Sequence, residues 1–150
     1  MRFTRRQGSL PDGLDREALR EAMLAFPVSL AVVFGSFATE TTTPLSDLDV
    51  AVRFESDVPH SRKVELLGEL AGELGRATGI DAIDLVDLDT VGPALGYEAL
   101  ADGVLIYGDA DDAAELQARF LVRKLDLQPV KRRWDDALTD RIQEGQFGRP

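Results

Sequence analysis

The run Val28 to Phe34 is almost entirely β-branched, apolar or aromatic, and it is closed on one side by Pro27 and on the other by Gly35. A run this short, bounded by two residues that interrupt regular structure, has the form of a strand buried on both faces. The stretch 47–54 behaves differently: Asp47, Asp49 and Ala51 alternate with Leu48, Val50 and Val52. Side chains on a strand point to opposite faces with a period of two, so this second strand has one apolar face and one that begins with two carboxylates.

The remaining apolar residues supply covering helices. In 12–26, Leu14, Ala18, Ala22 and Phe26 recur at fourfold spacing, with Asp12 as the expected N-cap and Pro27 as the stop. In 61–77, Val64, Leu67, Leu70, Ala71 and Leu74 trace one stripe and Gly79 ends it. Gly68, Gly72 and Gly75 lower the intrinsic helicity of that segment, so packing against a sheet has to hold it. A third strand is expected over 82–88, then a short helical or irregular stretch to residue 101, then a fourth strand over 104–107. Two further helices are expected, 112–125 through Ala113, Leu116, Phe120 and Leu125, and 130–142 with Trp134 and Leu138, separated by Pro129. Alternating helices and strands predict an α/β fold, a small sheet flanked by helices. At 150 residues the chain fits one domain, 1–150, with a core over about 12–107 and C-terminal helices over about 110–144.

Composition narrows the chemistry. There is no cysteine and only one histidine, His60, which excludes disulfides, thiolate nucleophiles and sulfur- or polyhistidine-based zinc sites. Carboxylates are the metal-binding groups that remain. A formal charge of −10 disfavours a groove for phosphate backbones and suits a basic protein partner. No apolar run reaches the length of a bilayer span and the N-terminal segment lacks the apolar core of a secretory signal, so a cytoplasmic protein is expected. Gly-x-Gly, Walker A and HisGluxxHis patterns are all absent.

Asp47 and Asp49 lie on one face of the second strand, about 7 Å apart along it, where both can face one divalent ion. An acidic chain produces Asp-x-Asp by chance, and a lone Gly-Ser is equally common. Their combination is more specific: a strand ending at Gly35-Ser36, ten residues, then a carboxylate pair opening the next strand. Glycine there lets backbone amides and a small hydroxyl approach a phosphate closely. The third strand supplies a further carboxylate, Asp84, set between apolar neighbours where an unpaired charge is costly to bury. Asp87, nearer the strand end, reads as a solvated terminus. His60 reads as a loop residue, and Tyr107, Phe120 and Trp134 as core or partner-facing aromatics rather than base-stacking platforms.

Gly35 and Ser36, followed after ten residues by Asp47-Leu48-Asp49, resemble the signature of the DNA polymerase beta nucleotidyltransferase superfamily in its minimal, MNT-type form. The resemblance implies a polymerase-beta-like fold in which Gly35 and Ser36 hold a nucleoside triphosphate. It also implies that Asp47, Asp49 and Asp84 bind Mg²⁺ and form the catalytic set. The expected reaction is transfer of AMP from ATP to a hydroxyl, a tyrosine of a cognate HEPN ribonuclease toxin, with this chain as the antitoxin. The chain lacks the arginine-to-histidine spacing of a HEPN active site, which places it on the transferase side. Two other readings stay open: transfer to a small molecule or nucleic acid end, and an antitoxin that acts by binding alone.

Overall fold

A computed structural model describes residues 10, 14–35 and 47–143, with side chains described as far as residue 126. Helix α1 (Arg16–Leu24) starts behind Asp15, whose carboxylate accepts a hydrogen bond from the Glu17 N–H at 3.0 Å. The expected cap, Asp12, lies outside the described residues, and the helix begins later than its apolar spacing suggested. Strands β1 (Val28–Phe34) and β2 (Leu48–Phe54) follow, then α2 (His60–Thr78), β3 (Ile83–Asp87), α3 (Pro93–Asp102), β4 (Val104–Tyr107) and α4 (Ala110–Gln143). His60, expected in a loop, is the first residue of α2. The stretch before β4 is a regular helix with a proline in its first turn, where the missing N–H costs nothing.

Among the described residues the strands form one mixed sheet in the order β3-β2-β1-β4. Strand β1 runs antiparallel to both β2 and β4, whereas β2 and β3 are parallel. Parallel neighbours need a crossover, and α2 provides it. Strand parity then divides the core in two. Val50 and Val52 face α1 and α2, meeting Leu19, Met23, Leu70 and Leu74. Leu30, Val32 and Ala51 face α3 and α4, meeting Leu100, Leu116 and Phe120. Asp49 shares the parity of Ala51, so its side chain belongs to the α3/α4 face.

Two helices depart from the sequence pattern. In α2 the inward stripe runs through Leu66, Leu70 and Leu74, with Lys63 turned inward as well, while Val64 is 79% exposed. Periodicity weighs only hydrophobicity; here a lysine is drawn in by Asp87 on the neighbouring strand and Asp89 just after it. Helix α4 is continuous through Pro129, where two helices were expected. A proline removes one hydrogen bond from the ladder, at about 3 kcal/mol, but leaves the bonds before and after it available, and helix-forming Leu, Gln, Lys and Arg lie on both sides.

Helices α3 and α4 meet at Gly96. A Cβ there would sit 2.6–2.8 Å from atoms of the Phe120 ring, which is itself 2% exposed. Gly96→Val is therefore expected to destabilise the protein by about 1–3 kcal/mol, the usual cost of overpacking, read as a lower midpoint in urea with an unchanged slope.

Candidate active site

Three neighbouring strands, β1, β2 and β3, build the site at one end of the sheet. Strand β1 ends at Phe34, which pairs with Asp49 across the antiparallel ladder. The next residue, Gly35, turns the chain with a φ of +72°, a left-handed conformation that L side chains rarely adopt. The turn brings its backbone onto the Asp49 carboxylate so closely that a Cβ at Gly35 would collide with Asp49 Oδ2. Glycine is thus favoured twice at this position, by its φ and because a Cβ would displace the Asp49 carboxylate.

The parallel register supplies the third element, since it places Asp84 of β3 directly beside Asp49 of β2. Both side chains stand on the α3/α4 face, by parity with Ala51 and Val86. Asp47 immediately precedes β2 and is exposed, Asp49 is half-buried and Asp84 is exposed. The Asp49 carboxyl is held above the usual carboxylate range, first by burial, then by the negative charge of Asp84, then by that of Asp47. The charges of Asp84 and Asp47 therefore both reach Asp49 at this end of the sheet.

Two expectations change. Asp84 is not a charge buried among apolar neighbours, because β3 is the edge strand of the described sheet and leaves this side chain in water. Its placement rests instead on its register with Asp49. Asp87, read as a solvated terminus, is 6% exposed and paired, because the opposite face of β3 is covered by α2. Ser36 lies outside the described residues.

The donor chemistry suits a hard divalent cation. Among the described residues no three such side chains form a closed metal cage. Mg²⁺ takes one or two protein carboxylates and completes its shell with water and substrate phosphates, so a pair is enough for it. Asp49 and Asp84, register partners on β2 and β3, are the carboxylates that could hold it. The N-terminus of β1 and the C-terminus of β2 border a different cleft of about 490 Å³. Its arginines are already engaged, Arg53 with Asp89 and Arg119 with Glu115, so it offers no comparable concentration of one charge.

The family described as polymerase beta nucleotidyltransferase matches residues 19–112, which span β1, β2 and β3 with the carboxylates between them. The chain belongs to the polymerase beta nucleotidyltransferase family. No curated protein matches the sequence. Solved structures show the same fold at low identity. A chain of a toxin-antitoxin crystal structure with AMP-PNP superposes with a TM-score of 0.71 at 23% identity, covering 84% of this chain and 99% of that one. A chain of the MntA-HepT toxin-antitoxin structure gives 0.61 at 20% identity, covering 83% and 96%. A third structure, of a tri-AMPylated Shewanella oneidensis HEPN toxin in complex with an MNT antitoxin, gives 0.58 at 20% identity, covering 83% and 99%. Within the family's fold, the contact between Gly35 and Asp49 is what sequence reasoning missed. Its signal was available in outline, as a glycine ending one strand and an aspartate opening the next.

Proposed function

We propose that this nucleotidyltransferase uses Mg²⁺ to move AMP from ATP onto a hydroxyl, a tyrosine side chain, of a cognate cytoplasmic HEPN ribonuclease toxin, and thereby acts as its antitoxin. The observation that carries the reading is the pairing of Asp49 with Asp84 beside the Gly35 turn, in a chain of this family. Two of the structural relatives add support, one holding AMP-PNP and one holding a toxin that is tri-AMPylated. The charge of −10 gives such a partner an attractive field if its surface is basic.

In this reading Gly35 and Ser36 receive the triphosphate, the first by carrying no side chain to obstruct it and the second by its hydroxyl. Asp47, Asp49 and Asp84 hold Mg²⁺, which when bound neutralises phosphate charge and favours in-line displacement. The acceptor oxygen attacks the α-phosphorus, the bond to the bridging oxygen breaks, and pyrophosphate leaves. Asp84, exposed at the sheet edge, takes the hydroxyl proton as the new bond forms. Most of the acceleration comes from positioning and electrostatics.

The test is to incubate the chain and the HEPN partner with ATP and Mg²⁺ and to weigh the partner by mass spectrometry. One or more adenylyl groups on a tyrosine, with loss of ribonuclease activity, is the expected result. A silenced but unmodified partner would instead establish inhibition by binding, and label appearing on a small molecule or nucleic acid end would reassign the acceptor.

A further inference from the structure

Among the described residues strand β3 has a neighbour on only one side, β2, and is five residues long. Its α2-facing residues are Ile83, Leu85 and Asp87; Asp84 and Val86 point the other way. A slip of two residues along β2 keeps every side chain on its own face and exchanges Ile83 with Leu85, a difference an apolar surface hardly registers. Such a slip would move Asp84 from Asp49 to Asp47 or Ala51. Two carboxylates set side by side favour the slip that takes Asp84 to Ala51.

Charged residues at the far end of β3 are not interchangeable in this way. The Asp87 side chain is 5% exposed, accepts the Asp89 N–H at 2.9 Å and faces Lys63 Nζ at 3.8 Å. Lys63, 13% exposed, also donates to Asp89 Oδ2 at 3.1 Å, and Asp89 Oδ1 accepts from Arg53 Nε at 3.3 Å. Slipping in one sense would bring Leu85 beneath Lys63 and leave that covered amine with one carboxylate in place of two. Slipping in the other would bring Asp89 there and pull it off Arg53. Both registers are penalised, by different pairs.

We propose that the Lys63–Asp87 ion pair, backed by Arg53–Asp89, is a register lock that keeps Asp84 beside Asp49; these are positioning residues for the carboxylate site. The inference rests on the reading of Asp49 and Asp84 as metal-binding residues. Lys63→Met keeps the length and loses the charge. In the full chain without nucleotide, Mn²⁺ binding followed by electron paramagnetic resonance is expected to weaken by roughly 10–100-fold, the usual effect of removing a group that orients a ligand. Amide exchange across 83–87 accelerates, and Lys63→Arg restores both. The decisive comparison is in an Asp84→Asn background, where Lys63→Met is expected to change Mn²⁺ affinity no further. An equal loss in both backgrounds, or unchanged Mn²⁺ affinity in folded Lys63→Met, overturns the lock. If Lys63→Met does not fold, the neutral pair Lys63→Met with Asp87→Leu replaces it, with weakened Mn²⁺ binding still expected and wild-type affinity overturning the lock. If Asp49→Asn leaves Mn²⁺ binding unaltered, the metal assignment fails, and exchange at 83–87 still decides the lock.

Discussion

Asn in place of Asp49 is expected to abolish transfer of label from ATP labelled at the α-phosphate, and at the same time to raise the melting temperature of the metal-free protein. The first effect follows from losing a charge at the centre of the carboxylate set, and a loss of at least about 10²–10³-fold is expected for an electrostatic group aimed at the reacting phosphate. The second follows from the sign of the Asp49 shift. Burial, Asp84 and Asp47 all hold its carboxyl above the ordinary range, so the folded protein binds the Asp49 proton more tightly than the unfolded chain does. The stability this contributes is fully present below the ordinary carboxylate pKa and is lost as pH rises through the raised one. At neutral pH the wild type bears the repulsion in full, whereas asparagine has nothing to ionise. Melting temperatures measured upward in pH from the acid side of that window should therefore separate, the wild type falling relative to the variant. Mg²⁺ should stabilise the wild type through linkage and the variant much less. Unimpaired transfer would remove Asp49 from the mechanism, and a variant that melts lower across the neutral range would contradict the electrostatic account. Asp47→Asn, at an exposed position just outside the strand, is expected to lose transfer with less gain in stability.

The parts of this fold written locally were readable from the residues. Strands β1 and β4 coincide with short apolar runs, β1's being closed by Pro27 and Gly35, because a covered strand advertises itself by composition and its limits by residues that cannot continue it. The end of α2 was equally local, with Gly79 donating its N–H to the Gly75 carbonyl at 2.9 Å. What depended on pairing between distant segments was not. Periodicity gave two faces to β3 but could not say that it lies at the edge, so Asp84 was expected under cover and Asp87 in water, the reverse of their placement. It also could not foresee that Lys63 would turn inward, because the cause is a carboxylate on another element. Within the site, the spacing between Gly35 and Asp47-x-Asp49 was legible, while the reason the spacing matters, Phe34 lying opposite Asp49, is a property of the antiparallel register.

That register makes Gly35→Ala the most informative substitution outside the carboxylates themselves. A methyl group there meets two separate objections: a φ of +72°, which costs an L residue about 1–2 kcal/mol, and a collision with Asp49 Oδ2. Strain alone should lower stability and leave chemistry intact, whereas displacement of the Asp49 carboxylate should reduce transfer, by on the order of 10²-fold for a shift of about 1 Å. Gly79 separates the two contributions, because it has the same φ of +72° and nothing within 4 Å of where its Cβ would lie. Gly79→Ala should therefore lose about 1–2 kcal/mol and keep wild-type transfer. Gly35→Ala should lose at least as much stability and most of the activity. Removing the obstacle tests the cause directly: with Asp49 already alanine, adding Gly35→Ala should cost no more stability than Gly79→Ala does. If Gly35→Ala transfers at the wild-type rate, the close approach of this turn to Asp49 belongs to the packing of β1 on β2 and not to the reaction.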